Sequence, residues 1–412
     1  MNKLLTALVL FTASTVVMAN DATITGPQES TAPAPSAAKV PLPQHPTPQV
    51  RAYLLMDYAS GRILFGEHYD ERIDPASLTK MMTSYVIGQE LRNGKIKPDD
   101  MVRISENAWS KNYSDSSKMF IEVGKEVSVD NLHKGIIIQS GNDACIAMAE
   151  HLAGSTSSFA SLMNDWAKRI GMKSTHFVNP HGLYDENHYS TAYDLAVLGR
   201  ALIRDLPEEY SIYAQKEFTF NGIKQINRNR LLWDESLNVD GIKTGHLSQV
   251  GYNLVASAVN PSNGMRLISV IIGDVSEKSR TENSRALLRY GFRFYEPYTP
   301  VKAGTALVTK DVRLGNVDQI ALGVQNDVSF VIPVNARENV KASFTLNKDL
   351  VASDKSILAP IKKGQKVGLI TFSLDGKPIY QLPLTALSDV EEAGFVAKLW
   401  DRCVMTVSSW FD

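Results

Sequence analysis

The chain has 412 residues, of which 44% are hydrophobic and 21% charged, and its formal net charge is −1. These fractions are those of an ordinary globular protein and exclude a disordered or largely membrane-embedded chain. Because a nucleic-acid-binding surface needs a strong basic excess, we expect no nucleic-acid partner. The length exceeds what one hydrophobic core usually supports, so two folded domains with tails are expected.

Residues 1–19 have the pattern of a signal peptide. Lys3 supplies the positive charge, residues 4–17 form an apolar run, and Val17-Met18-Ala19 provides a cleavage pattern. This run is too short for a settled membrane-spanning helix, although a retained N-terminal anchor is the alternative. We therefore expect cleavage near Ala19 and a mature protein outside the cytoplasm.

Residues 20–49 are rich in Pro, Ala, Thr and Gln. Such a composition buries too little apolar surface to fold, so we expect a semi-extended spacer.

Residues 50–296 are predicted to form a domain of the α/β class with an antiparallel sheet. Apolar runs bounded by turn residues predict strands, and 3.6-residue periodicity predicts helices. The strands are predicted at 52–57, 62–65, 242–246, 252–259 and 266–272. The helices are predicted at 77–91, 143–151, 157–170, 191–203 and 282–290. Strands at both ends, with helices between them, favour this class.

A composition shift after Glu296-Pro297 indicates a second domain. Residues 322–334, 340–346 and 366–384 are strand-like, and Asp375-Gly376 is a hairpin-turn signal between apolar runs. No helical period competes there. We predict a small all-β domain at 301–385.

Residues 390–412 are predicted to form an amphipathic helix. Apolar residues recur at helical spacing on one side, whereas Lys398, Asp401 and Arg402 lie on the other. The apolar residues are Phe395, Val396, Leu399, Trp400, Cys403, Val407, Trp410 and Phe411. Such a helix lies in a membrane interface rather than spanning the membrane, which predicts peripheral contact with the outer face of the inner membrane. The alternative is a helix docked on the β domain.

Two cysteines, Cys145 and Cys403, are present, and two free thiols are expected, although the sequence does not exclude their pairing. The eight histidines include no His-Glu-x-x-His, and the cysteines form no Cys-x-x-Cys. We therefore expect no metal and no cofactor.

Ser-x-x-Lys occurs at Ser36/Lys39, inside the spacer, and at Ser77/Lys80. The second pair follows Asp74-Pro75, an N-cap candidate and a proline suited to the first helical position. Ser77 would then lie in the opening turn, with Lys80 on the same helical face. Unpaired backbone N–H groups of that turn can support a developing oxyanion. Taken alone, this pair is more typical of a structural cap and a solvated lysine.

Ser140-Gly141-Asn142 lies between the apolar run 136–138 and the predicted helix 143–151. Three other Ser-x-Asn copies, at Ser105, Ser110 and Ser236, lack this setting. The position suits a loop that points into a cleft, although Asn142 could also be a plain helix N-cap.

Lys243-Thr244-Gly245 occurs once, in the strand-like stretch 239–246. A glycine within a strand marks the close approach of a ligand or another backbone. The alternative for Lys243 is an exposed lysine on an edge strand.

In this order the three motifs form the set described for β-lactamases and penicillin-binding proteins. The chain resembles the D-alanyl-D-alanine carboxypeptidases, the low-molecular-mass penicillin-binding proteins among the penicillin-recognising serine peptidases. The resemblance covers 74–83, 132–149, 175–177, 181–183, 238–246 and 291–294, and continues to the tail. The spacer and residues 113–118 match least. A β-lactamase/transpeptidase-like catalytic domain is implied.

The resemblance implies removal of the terminal D-alanine from peptidoglycan stem pentapeptides through an acyl-enzyme, with β-lactams as covalent inhibitors. Ser77 would be the nucleophile and Lys80 the general base. Ser140 would pass the proton to the departing amine, and Asn142 would orient the amide of the acyl donor. Lysine is protonated at its reference pKa, so Lys80 must be desolvated or lie near another cation, for which Lys243 is the candidate.

The resemblance also places the substrate carboxylate along the predicted strand 242–246. The residues expected to bind it are Lys243, Thr244, Gly245, His246 and Arg280. Backbone N–H groups of Ser77 and His246 would form the oxyanion hole. His246 as a general base is the alternative, but the sequence offers no evident aspartate to orient it. Cys145 is expected to be a small buried helix residue rather than a nucleophile.

Three rival functions share these features. A β-lactamase would need a second base, and no Glu-x-x-Leu-Asn loop lies between Asn142 and Lys243. A catalytically quiet wall-binding scaffold is disfavoured by the intact motif residues. An endopeptidase that cuts cross-links between stem peptides is the third.

Overall fold

The computed structural model describes residues 42–352 and 354–408. The predicted signal peptide and most of the predicted spacer lie outside these residues. The described chain divides into two compact units. Residues 42–305 and 324–337 form the first, and residues 306–323 and 338–408 form the second.

The first unit contains most of the regular structure. Its strands are β1 (Ala52–Asp57), β2 (Ile63–Glu67), β3 (Met101–Arg103), β4 (Glu126–Ser128), β5 (Glu217–Phe220), β6 (Ile223–Ile226), β7 (Val239–Leu247), β8 (Gly251–Val259), β9 (Arg266–Asp274) and β10 (Tyr295–Val301). Its helices are α1 (Lys80–Arg92), α2 (Val129–Lys134), α3 (Asn142–Ala153), α4 (Thr156–Ile170), α5 (Ala192–Asp205), α6 (Pro207–Tyr210) and α7 (Glu277–Phe294).

A five-stranded antiparallel sheet, in the order β2-β1-β9-β8-β7, is the centre of this unit. Side chains alternate between its two faces. Leu54 and Met56 of β1 pack into the core formed with α1, α4 and α5, whereas Tyr53 and Leu55 pack into the core beside α7. The predicted α/β class with an antiparallel sheet is confirmed, and β7 is an edge strand.

Two predicted helices differ from the observed ones. The helix predicted at 77–91 begins as a 3-10 turn, Ala76–Thr79, and becomes α-helical at Lys80. The helix predicted at 282–290 is the 18-residue α7, which starts five residues earlier because the Ser276 side chain caps the backbone N–H of Ser279. This longer helix brings Arg280 into its first turn.

The second unit is mainly β. Its strands are β11 (Ala306–Arg313), β12 (Gln319–Gly323), β14 (Val340–Leu346), β15 (Ile357–Leu358), β16 (Lys366–Leu374) and β17 (Lys377–Ala386), in the sheet order β14-β16-β17-β12-β11-β15. The Asp375-Gly376 hairpin is confirmed. Both residues have positive φ, 51° and 78°, as a two-residue turn between β16 and β17 requires.

The strand predicted at 322–334 is two strands. β12 ends at Gly323, and β13 (Val328–Pro333) pairs with β10 in the first unit. Between them, the Asp327 carboxylate accepts hydrogen bonds from the Ala303 backbone N–H and from Lys302. Polar turn residues therefore divide the segment that the apolar pattern had predicted to be one strand.

Residues 42–48, in the last part of the predicted spacer, form no helix or strand and lie against the first unit. The ring of His45 stacks on Phe65 with centroids 4.4 Å apart, and the Tyr290 hydroxyl donates to the Pro43 carbonyl at 2.6 Å. Composition alone did not predict these contacts.

Helix α8 (Phe395–Ser408) follows the β strands, so the predicted amphipathic helix is observed from Phe395 onward. Trp410 and Phe411, which completed its predicted stripe, lie outside the described residues. Within the described ranges, no helix combines the length and apolar character needed to cross a membrane.

Candidate active site

Ser77 lies in a strained turn at the start of α1. The Asp74 carboxylate accepts a hydrogen bond from the Ala76 backbone N–H at 2.9 Å. Ala76 has φ +50°, a left-handed conformation that is unfavourable for any residue with a Cβ atom. Strained residues of this kind persist where the surrounding structure holds them, often at functional sites. Ser77 therefore lies in a strained turn that the surrounding structure stabilises, and not in a regular α-helix.

Gly182 packs directly against this turn. A Cβ atom at Gly182 would lie 1.9 Å from the Ala76 carbonyl oxygen, and its φ of +84° also favours glycine. The Thr83 hydroxyl donates to the Pro180 carbonyl at 2.5 Å. The segment 180–182 is thus pressed onto the first turns of the Ser77–Lys80 helix and supports the strained residue.

Lys80 is buried beneath Ser77, with 1% of its surface exposed. Its Nζ donates to Ser77 Oγ at 3.1 Å and to the His181 carbonyl at 2.5 Å. Burial lowers the Lys80 pKa to about 8, and the Arg228 guanidinium contributes in the same direction. The predicted placement of Ser77 and Lys80 on one face is confirmed, and the neutral fraction of Lys80 near neutral pH is much larger than that of an exposed lysine.

Ser140 and Asn142 come from the junction before α3. A single π-helical turn, Gly135–Gln139, ends at Ser140, which is left-handed with φ +66°. Ser140 Oγ and Asn142 Oδ1 are buried and have no hydrogen-bond partner within the part of the chain that the structure describes. Buried polar atoms normally have partners, so these two atoms are suited to a bound substrate.

Strand β7 approaches the Ser77 turn closely at Gly245. A Cβ atom there would lie 3.2 Å from the Pro75 carbonyl oxygen and 3.3 Å from the Leu78 nitrogen. The glycine therefore permits the close approach of another backbone that the sequence predicted, and the edge strand and the turn form two walls of a narrow cleft. Because β7 is an edge strand, backbone groups on its outer side are left without a sheet partner.

The cleft has a volume of about 270 Å³. It is lined by residues from the Ser77 turn, the 115–117 loop, the Ser140 junction, the 182–183 segment, β7 and the start of α7. The lining residues are Ser77, Asp115, Ser116, Ser117, Ser140, Asn142, Gly182, Leu183, Arg228, Thr244, Gly245, His246, Leu247, Ser248, Glu277 and Arg280. Seven of the nine sequence-predicted site residues line it.

The other two, Lys80 and Lys243, are buried beside it. Lys243 is 3% exposed, and its Nζ donates to the Thr244 carbonyl at 3.2 Å. Burial lowers the Lys243 pKa well below its ordinary value, and the charges of Lys80 and Arg228 lower it further. The structure thus brings two lysines together without giving either a carboxylate hydrogen-bond partner within the described residues.

Arg280 lies in the wall of the cleft and is 2% exposed. It donates to the Gly245 carbonyl at 3.4 Å, and its guanidinium lies 5.5 Å from the Tyr252 ring centroid. Its ion pair with Glu277 is 3.5 Å long. This cation suits a substrate carboxylate, because a guanidinium presents paired donors.

His246 is exposed at the rim, and its ring centroid lies 4.2 Å from that of Tyr252. No carboxylate orients it among the described residues, which agrees with the absence of an orienting aspartate in the sequence pattern. The arrangement therefore favours a contact role for His246 over a general-base role.

Arg228 is a site residue that sequence reasoning missed. It donates to Ser117 Oγ at 2.7 Å, and burial lowers its pKa. Lys243 was expected to be the cation that disfavours a charged Lys80; the charges of the two lysines do disfavour each other, and the Arg228 guanidinium also lowers the Lys80 pKa. The buried side chains of Asn227 and Asn229 fasten this loop to Gln215 and Gly241. Nothing in the polar sequence Asn-Arg-Asn-Arg distinguishes the residue before the fold is known.

Cys145 is buried in α3, and burial raises its pKa to about 12, although Lys80 and Lys243 act in the opposite direction. Such a thiol is protonated at neutral pH and a poor nucleophile. Cys145 and Cys403 are both free, as predicted.

Comparison with known proteins agrees with this geometry. Residues 38–276 match the D-alanyl-D-alanine carboxypeptidase family of peptidases. The chain belongs to this family. Residues 295–392 match the C-terminal domain of penicillin-binding protein 5. The family predicted from the sequence motifs, and the serine-peptidase class that goes with it, are therefore confirmed.

Individual relatives resemble the chain over most of its length. D-alanyl-D-alanine carboxypeptidase DacC of Escherichia coli is 50% identical, with 89% of this chain and 90% of the relative covered. DacA of Haemophilus influenzae is 49% identical, with 88% and 91% covered. The crystal structure of penicillin-binding protein 5 from Haemophilus influenzae superposes with a TM-score of 0.80 at 48% identity, covering 85% of this chain and 99% of that one.

The close approach at Gly245 gives a testable expectation. In Gly245→Ala, the added methyl group should push β7 and the Ser77 turn apart by a few tenths of an ångström. Because small misplacements of reacting groups slow catalysis strongly, acylation by penicillin should slow roughly tenfold. Stopped-flow measurements give the acylation rate of the variant, and thermal melting separately gives any loss of stability.

The matched control is Gly394→Ala, where an added methyl group meets nothing within 4 Å. It should acylate at the wild-type rate. If Gly245→Ala were acylated at the wild-type rate, the narrow width of the cleft would not determine the geometry of the reacting groups.

Proposed function

We propose that this protein removes the terminal D-alanine from peptidoglycan stem pentapeptides through an acyl-enzyme on Ser77. The observation that carries the proposal is the 3.1 Å hydrogen bond between Ser77 Oγ and Lys80, whose pKa burial lowers to about 8. A lysine in that state can accept the serine proton, which an exposed lysine of ordinary pKa does poorly. We assign this chemistry to residues 50–296; of the β domain predicted at 301–385, residues 301–305 and 324–337 belong to the first unit.

In acylation, Ser77 Oγ attacks the carbonyl carbon of the penultimate D-alanine while neutral Lys80 accepts the hydroxyl proton. The new C–O bond forms as the carbonyl π pair moves to oxygen. Backbone N–H groups of Ser77 and His246 are proposed to stabilise that oxyanion. Collapse of the intermediate breaks the C–N bond. Ser140, buried with an unpartnered hydroxyl, then donates its proton to the departing D-alanine amine and takes the proton that Lys80 had accepted from Ser77, so that Lys80 is neutral again.

Water then hydrolyses the acyl-enzyme ester, with Lys80 again as base, and restores Ser77. Asn142 is proposed to hold the amide of the acyl donor, and Thr244, Gly245, His246 and Arg280 the terminal carboxylate. Lys243 would act from its buried position through its charge rather than by direct contact. No step in this sequence calls for a metal or a cofactor.

Penicillin presents a strained amide to the same nucleophile. We therefore expect covalent one-to-one labelling of Ser77 in the full chain, located by mass spectrometry of the adduct. Ser77→Ala should remain folded and lose both labelling and D-alanine release from a pentapeptide muropeptide, by at least about a thousandfold.

The rival functions give other results. Rapid turnover of penicillin instead of a stable adduct would indicate a β-lactamase. Release of cross-linked peptides without D-alanine would indicate an endopeptidase, and neither labelling nor release would indicate a wall-binding scaffold. An adduct on another residue would contradict the assignment of Ser77.

We further propose that α8 holds the protein on the outer face of the inner membrane, within the periplasm. Its polar side docks on the β unit. The Asp401 carboxylate accepts from the Leu314 backbone N–H at 2.5 Å and pairs with Arg313 at 3.7 Å, while Lys398 pairs with Glu392.

The apolar side of α8 remains uncovered among the described residues. Phe395, Val396, Leu399 and Trp400 are 82%, 81%, 56% and 72% exposed. Contiguous exposed apolar surface of this kind is typical of a membrane or protein contact. Because the polar side is docked, the apolar side is available for lipid. Each apolar side chain buried in the membrane would contribute roughly 1.5–3 kcal/mol to the free energy of binding.

Leu399→Asp combined with Trp400→Asp should therefore release the mature protein from liposomes of inner-membrane composition in a sedimentation assay. Deletion of residues 395–412 should do the same, and both variants should retain penicillin labelling. Moderate salt should leave the wild-type protein bound, because apolar burial dominates over charge. Ile226→Asp, which alters an exposed apolar residue of β6, is the control and should remain bound. A wild-type protein that fails to sediment with liposomes would contradict the anchor.

A further inference from the structure

The loop 114–118 forms one rim of the cleft and is fastened to the Ser140–Asn142 junction. Asn142 Nδ2 donates to Ser116 Oγ at 2.9 Å, and the Asn142 backbone N–H donates to the Ser117 carbonyl at 2.8 Å. Arg228 donates to Ser117 Oγ at 2.7 Å. Three hydrogen bonds on two adjacent residues hold this rim in place, so the preceding residue, Asp115, projects from a fixed base.

Asp115 differs from the other charged residues that line the cleft. Those residues are Arg228, Arg280 and Glu277. Arg280 and Glu277 pair with each other at 3.5 Å, and Arg228 is held by Ser117. Asp115 is exposed and has neither a hydrogen bond nor an ion pair among the described residues. It is therefore the cleft carboxylate whose charge no neighbouring side chain compensates.

The position of Asp115 indicates which part of a substrate it would meet. The two sides of the cleft have different chemistry: Thr244 and Arg280 suit the carboxylate of the leaving D-alanine, whereas Asn142 suits the amide of the acyl donor. Asp115 is adjacent to Ser116, whose hydroxyl accepts from Asn142. Asp115 therefore lies on the side of the cleft that we assign to the acyl donor, upstream of the penultimate D-alanine.

We infer that Asp115 is a specificity-determining residue that pairs with a primary ammonium group on the acyl donor. This inference rests on the proposed carboxypeptidase function. The substrate class it names is a peptide ending in D-alanyl-D-alanine, in which the preceding residue carries a free amine at the end of its side chain. A carboxylate on a fixed loop attracts such a group, and the cationic interior of the cleft keeps it at the rim.

The test compares two small substrates that differ in one acetyl group. Nα-acetyl-L-lysyl-D-alanyl-D-alanine carries the free side-chain amine, and its Nα,Nε-diacetyl counterpart does not. D-alanine release gives kcat/KM for each, and their ratio measures the preference for the amine. Because a solvent-exposed ion pair is weak, we expect a preference of roughly two- to fivefold in the wild-type protein.

We express the preference as kcat/KM for the free-amine substrate divided by kcat/KM for the diacetyl substrate. In Asp115→Asn this ratio should fall to about one. In Asp115→Lys it should fall below one, because a like charge repels the amine. The wild-type preference should also shrink as salt rises from about 0.02 M to 0.5 M. Asp99→Asn removes the same charge outside the cleft lining and should keep the wild-type ratio. A ratio that Asp115→Asn and salt leave unchanged would overturn the inference.

Failure of the inference and failure of the proposed function are distinguishable. If the wild-type protein releases D-alanine from both substrates with equal efficiency, the enzyme is a carboxypeptidase and Asp115 is an ordinary solvated carboxylate. If it releases D-alanine from neither substrate, the proposed function itself fails.

Discussion

The rest of the site depends on a buried ammonium group, that of Lys80, with no carboxylate hydrogen-bond partner among the described residues. Desolvation disfavours the charged form of a lysine, and the nearby Arg228 guanidinium disfavours it further. The neutral form that results is a base, and Ser77 Oγ lies within hydrogen-bonding distance of it. A carboxylate bound to Lys80 would have stabilised the ammonium and removed that base. Lys80 is reactive because it is buried without a carboxylate that would compensate its charge, which favours the neutral amine.

Maintaining this arrangement requires rigid packing around the serine. Ala76 and Ser140 both adopt left-handed conformations, and neither is a glycine. Glycines occur instead at positions 182 and 245, where a Cβ atom would collide with or crowd the Ser77 turn. The surrounding close contacts maintain these strained conformations. Strained residues of this kind typically cluster at functional sites, as they do here. The sheet, the helices and the 180–182 segment each supply one wall.

Sequence patterns predicted the features that depend on short-range regularity. The sheet strands, four of the five helices to within a few residues, the Asp375-Gly376 hairpin and the three motifs follow from periodicity, turn residues and spacing. The features that were missed depend on long-range contacts. Arg228 looks like any polar-loop arginine until Asn227 and Asn229 fasten it at the cleft, and Asp115 becomes notable only beside Asn142. Docking of the C-terminal helix on the β domain was only an alternative at the level of sequence, and the pair between Arg313 and Asp401 is what identifies the polar side of α8 as the docked one.

The most direct test of this account is the pH dependence of the rate at which a chromogenic β-lactam acylates Ser77, followed by stopped flow from about pH 5 to 10. Because the neutral lysine is the active form, the rate should rise with pH through an apparent pKa near the value of about 8 given by burial of Lys80. Lys80→Arg should stay slow throughout, since a guanidinium keeps its proton in this range. A flat profile, or a fully active arginine variant, would show that the base is not Lys80.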